Sequence, residues 1–251
     1  LRSQKLGDDE GSYELFCRNI ERILSNEVGS LTVDNYCITS EDFHRLLEKR
    51  DLNRVSKLLT SLFEEIEIIL FIRRQDRLAT SRYNTLVQFG YQKRFRFEEI
   101  SEGEILRFYN YKKIIERWID AFPYSKLTVV PYGSETVNCK ESSVALMSNV
   151  LGVSNMIEPK VKLNQSFDSL QLRLIQILRA NQDVVNGADP IRFIRSMPDD
   201  GAAPKLPASP EAAASFVSRF SSVNEWVANN FLNGDELFND DYSAYNANFS
   251  W

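Results

Sequence analysis

Apolar residues recur along this chain at two periods, and the change from one to the other marks out helices and a few strands. Over residues 13–25, Leu15, Phe16, Ile20, Ile23 and Leu24 fall near a 3.6-residue repeat with charges between them, predicting an amphipathic helix with Gly29 as its stop. Residues 35–40 read as a short strand ending in polar positions, after which Ser40 or Thr39 caps a helix opened by Glu41 and Asp42. Residues 52–65 are helical through Val55, Leu58, Leu59, Leu62 and Phe63. The clearest strand is 66–72, nearly all apolar and mostly β-branched, as in a parallel strand covered on both faces by helices. Further helices follow at 77–90, 108–121, 143–151 (stopped by Gly152), 170–181 and 212–231, with a second buried-looking strand at 127–132. Residues 91–103, charged and aromatic, read as irregular or as a lid, and 197–210, with four prolines, as a loop or mobile insertion.

Strands that alternate with helices imply an α/β fold: one domain over 1–251 in three layers, with a small, mostly parallel sheet flanked by helices. Three visible strands are few for this length, so a further central strand is expected before Leu1.

Composition narrows the chemistry. A net charge of −5 argues against wholesale nucleic-acid binding, while leaving room for a local basic cluster that grips an anion. No apolar run reaches the roughly 18 residues of a membrane span. The chain holds one histidine, His44, which reads as a surface residue near a helix start, and three scattered cysteines, Cys17, Cys37 and Cys139. Neither a zinc site nor a histidine-dependent nucleophile is therefore expected, and unpaired cysteines fit a reducing compartment.

In open α/β sheets ligands bind beyond the carboxyl ends of the strands. The residues there are Ser40-Glu41, Arg73-Arg74 and Tyr132-Gly133, so a carboxylate and two guanidinium groups are expected to face one crevice. An arginine at a strand end, followed by a helix N-terminus, is a good phosphate clamp. Ser81, eight residues after Arg73, can donate to the same phosphate. A second reading fits the local physics equally: both arginines pair on the surface with Asp76, Glu65 or Glu67.

Residues 68–84, with Arg73-Arg74-Gln75-Asp76 at the turn, resemble the 3′-phosphate-binding strand and helix of sulfotransferases that use 3′-phosphoadenylyl sulfate (PAPS). In that family an Arg ends the strand and a Ser follows at a spacing of eight, as Arg73 and Ser81 do. The likeness extends to bacterial sulfotransferase-like proteins found with surface-polysaccharide genes. With weaker patterns at 38–41, 109–132, 164–181 and 222–238, it covers roughly 35–238. It implies a P-loop-NTPase-like architecture and PAPS as co-substrate, without a metal. The sulfuryl group is then expected to pass to a hydroxyl or amine of a carbohydrate or glycolipid in the bacterial cytoplasm, leaving adenosine 3′,5′-bisphosphate.

The resemblance implies that Arg73 and Ser81 bind the donor and that Glu41 is the catalytic base. Taken by itself, Glu41 also reads as a first-turn carboxylate serving the helix dipole. Lys93, Arg94 and Arg96, interleaved with Tyr91, Phe95 and Phe97, either contact an anionic acceptor or form a solvated loop packed by its aromatics. The family's Gly- and Lys-rich 5′-phosphosulfate loop has no counterpart before Asn35, where Lys5-Leu6-Gly7-Asp8-Asp9-Glu10 is acidic, and is expected upstream of Leu1. The alternative is a non-catalytic interaction domain that retains the fold. A P-loop kinase wants a Walker lysine and Mg²⁺ carboxylates, and a glycosyltransferase an Asp-x-Asp motif; none is evident.

Overall fold

The computed structural model describes residues 10–30, 33, 35–40, 43, 46, 48–133, 136, 143–153, 166–181, 189–197 and 208–245. Glu41, Asp42, His44, Cys139 and most of the 197–210 stretch lie outside them.

In chain order the helices and strands are α1 (Glu10–Ser30), α2 (Lys49–Leu62), β1 (Glu67–Ile72), α3 (Gln75–Gln88), the single turn α4 (Glu102–Glu104), α5 (Tyr111–Ala121), β2 (Lys126–Pro131), α6 (Ser143–Leu151), α7 (Ser169–Ala180), α8 (Pro190–Arg195), α9 (Pro210–Ser218) and α10 (Ser221–Phe231). The fold is mixed and rich in helix, with a small parallel sheet that among the described residues has two strands, β1 beside β2. Among the described residues no helix is long and apolar enough to cross a membrane.

Several elements depart from the sequence reading. Residues 35–40 form no strand. Their alternation survives as half-buried Tyr36 and Ile38 between exposed neighbours, and Tyr36 lies 5.9 Å from the ring of Phe63. A period of two places side chains on faces; it does not supply a partner strand. Helix α1 runs one residue past Gly29 to Ser30, whose hydroxyl donates to the Glu27 carbonyl at 2.7 Å. The expected helix at 212–231 is two helices broken at Phe220, whose side chain turns into the core and is 2 % exposed. Helix α8 was not foreseen, although its signal is present: Asp189 caps the Ile191 amide at 3.0 Å, and Pro190 opens the helix.

The chain divides into two compact units, Leu1–Ile68 with Glu116–Leu127, and Ile69–Ile115 with Thr128–Trp251. In the first, Arg54 on α2 reaches α1, its Nε 2.7 Å from Glu21 and its Nη1 3.0 Å from Glu14. Trp118 stacks on Phe122 at 5.6 Å, and the Ser56 hydroxyl donates to the Ala121 carbonyl at 2.5 Å.

In the second unit α3 packs on α7 and α9 around an aromatic core. Phe97 lies 4.8 Å from Phe95 and 4.7 Å from Phe216, which in turn meets Phe220 at 5.2 Å. Buried polar groups are stitched across this core. The Asn84 amide donates to the Phe167 carbonyl at 2.8 Å, and Gln176 Nε2 donates to the Tyr83 hydroxyl at 3.1 Å.

The buried phenols make this unit sensitive to alkali. Burial pushes Tyr83 and Tyr109 up to about 12, from the usual 10.0, and raises Tyr111 and Tyr245 as well. In the unfolded chain these groups ionise at their ordinary values, so at higher pH the unfolded state gives up protons that the native state keeps. The stabilisation is fully present below about pH 10 and is lost progressively toward about pH 12. A urea-unfolding midpoint is expected to hold level up to about pH 9.5 and to fall above about pH 10. A midpoint still level at about pH 12 contradicts the burial of these hydroxyls.

Candidate functional site

The ladder carries on past the end of β2, where the Tyr132 amide donates to the carbonyl of Ile72, the last residue of β1, at 2.9 Å. Arg73 therefore leaves the sheet beside Tyr132, its guanidinium carbon 5.8 Å from the centre of that ring. Tyr111, the buried first residue of α5, donates its phenol to the Arg73 carbonyl. The backbone of Arg73 is thereby pinned at the carboxyl end of the strand, while its side chain remains half-buried.

Arg74 behaves differently, and the expectation of two guanidinium groups in one crevice is corrected here. Arg74 is 0 % exposed. Its Nε and Nη2 fork onto the Asp76 carboxylate at 2.8 and 3.0 Å. Its Nη1 donates to the Asn239 carbonyl at 2.6 Å and its Nη2 to the Asp241 carbonyl at 3.0 Å, with the Tyr242 ring 4.3 Å from the guanidinium carbon. Tyr245 completes the set by donating to Asp76 Oδ2 at 2.8 Å. The reading of surface pairing fails for the same residue, because the Arg74–Asp76 pair is interior.

Gln75 is buried as well, exchanging amide hydrogen bonds with Asn224 on α10 at 2.6 and 3.3 Å. The start of α3 is thus covered by α10 and by residues 239–245. That tail is also tied by a bridge from Phe238 to Thr136, reached through a turn at Gly133 whose φ of 110° suits glycine.

Ser81 lies on α3 about 9 Å along the axis from Gln75 and is half-buried. Among the described residues its hydroxyl takes no hydrogen-bond partner. A guanidinium at a strand end and a hydroxyl on the helix that follows can both donate to an oxyanion, the first with charge assistance. Glu41 lies outside the described residues.

Lys93, Arg94 and Arg96 line a different place, an open cleft of about 590 Å³ whose walls include neither Arg73 nor Ser81. Its far side is Arg173 of α7, which sequence reasoning did not single out. Only packing brings that helix to residues 91–97, and no local signal marks it. Among the described residues no group of three or more His, Cys, Asp or Glu side chains is placed to hold a metal ion.

Comparison with protein-family models, with curated proteins and with solved structures finds no match for this chain.

Proposed function

We propose that the chain is a sulfotransferase that binds PAPS through Arg73 and Ser81 and passes its sulfuryl group to a hydroxyl or amine of a carbohydrate or glycolipid. The observation that carries this reading is the form of the segment with the resembling motif. It folds as a strand, a tight turn and a helix, with Arg73 at the carboxyl end of β1 and Ser81 on α3. The burial of Arg74 sharpens the assignment: one arginine holds the fold together, and its neighbour is the one at the strand end. The wider P-loop-like sulfotransferase architecture belongs to the same proposal.

In this reading Arg73 and Ser81 grip the 3′-phosphate. Transfer is in line: the acceptor oxygen or nitrogen bonds to sulfur as the bond from sulfur to the 5′-phosphate oxygen breaks. The acceptor's proton goes to a base, for which Glu41 is the proposed group.

The product adenosine 3′,5′-bisphosphate keeps the 3′-phosphate, so it serves as the probe. Titration calorimetry with the full-length protein is expected to show binding that weakens at least tenfold in Arg73→Ala, a loss of about 1.4 kcal/mol. Ser81→Ala is expected to weaken it less, because a neutral donor is lost rather than a charged one. Saturating nucleotide with no heat and no thermal shift overturns the proposal and leaves the interaction-domain reading.

A further inference from the structure

The cleft beside α7 carries an inference of its own. Burial alternates over residues 94–97: Phe95 and Phe97 are buried, Arg94 and Arg96 are exposed, and the backbone of Arg96 is extended. Arg94 and Arg96 therefore share the exposed side of this segment.

The backbone beneath them is held on a fixed scaffold. The Tyr83 hydroxyl donates to the Lys93 carbonyl at 3.1 Å, while Gln176 Nε2 donates to the Tyr91 and Lys93 carbonyls at 3.2 and 3.0 Å. Arg173 lies three residues before Gln176, hence on the neighbouring turn of α7, so the stitching that fixes the segment also fixes Arg173 across from it. The walls carry four cations and one carboxylate, Glu99, which sits 3.8 Å from Arg96. This positive cluster lies in a chain whose net charge is −5.

We infer that this cleft binds an anionic oligosaccharide, a linear sugar chain bearing carboxylates or sulfates. Three guanidinium groups and an ammonium spread along one cleft engage several anionic groups of a chain rather than one small ion. A single-stranded nucleic acid fits less well: none of the six residues lining the cleft is aromatic, so its walls offer no face on which bases stack. A membrane surface fits less well too, since all six lining residues are polar and none inserts among lipids. Binding at the cleft stands independently; only the added identification of this sugar as the sulfuryl acceptor rests on the function proposed above.

The test is titration calorimetry at low salt with a tetragalacturonate, a heparin tetrasaccharide, maltotetraose and a ten-nucleotide oligothymidylate. The variants are Arg94→Gln/Arg173→Gln and, confined to the exposed segment, Arg94→Gln/Arg96→Gln. At least one acidic saccharide is expected to bind and maltotetraose not. Both double variants are expected to lose at least tenfold in affinity while keeping the wild-type melting temperature and affinity for adenosine 3′,5′-bisphosphate. Failure of both acidic saccharides to bind overturns the inference, as does binding that the variants leave unchanged or an equal affinity for oligothymidylate. Nucleotide binding is measured on the same samples, so loss of the donor site and loss of the saccharide site are told apart.

Discussion

Arg74→Ala is expected to lower folding stability by about 3–5 kcal/mol, measured by urea unfolding, because it strands the Asp76 carboxylate in the interior. Asp76 is 0 % exposed, and among the described residues its carboxylate then keeps the Tyr245 hydroxyl at 2.8 Å. The substitution also frees the Asn239 and Asp241 carbonyls that hold the tail against the start of α3. Arg74→Lys is expected to fare little better, since an ammonium cannot make the planar fork onto the carboxylate while reaching two carbonyls. The double variant Arg74→Met/Asp76→Leu is expected to recover most of the loss, because neither charge then stays buried without the other. A single-variant loss below about 1 kcal/mol contradicts the buried network, because exposed pairs contribute no more than that. A domain is stable by only about 5–15 kcal/mol, so Arg74→Ala is expected to be marginal at 37 °C.

Phe216→Ala should have a comparable effect, about 3–5 kcal/mol, by a different mechanism. Phe216 is 2 % exposed and meets three rings: it stacks on Phe97 at 4.7 Å and stands edge-on to Tyr109 at 5.5 Å and Phe220 at 5.2 Å. Truncation removes its burial and leaves a void that neighbours locked in a rigid helical frame fill only partly. Phe193→Ala is the control: that ring is 51 % exposed, and its loss is expected to stay within about 0.5 kcal/mol. Equal effects at the two positions contradict the packing described here. The Phe216 variant also loosens Phe97, which anchors the segment carrying Arg94 and Arg96, so weaker binding at the cleft should accompany its lower stability.

Much of the fold is legible in local pattern. The helix over 143–151 coincides with its expected span, and the two strands lie within a residue of theirs. Backbone hydrogen bonding and amphipathic periodicity are decided by neighbours a few residues apart, and a sequence displays those neighbours directly. Two of the failures share a cause. Residues 35–40 have the alternation of a strand, yet a strand exists only where a second one lies alongside. Residues 212–231 divide into two helices at Phe220, which is buried in the core, and no periodicity records that burial.

The candidate site divides along the same line. That Arg73 stands at the end of a strand and Ser81 on the following helix was determined by the sequence itself, because both statements depend on one strand–turn–helix unit; the expected cover on both faces is not met, since only Ile72 of β1 is fully buried. The fate of Arg74 was decided by the tertiary structure alone. Its partners Asn239 and Asp241 lie 165 and 167 residues away, and nothing around residue 74 shows that this chain end folds back over it. Arg173 joins Lys93, Arg94 and Arg96 for the same reason, through a glutamine that bonds a backbone carbonyl 83 residues earlier. Local spacing orients a side chain toward a face; what covers that face, and which distant charges share it, is set only when the chain packs.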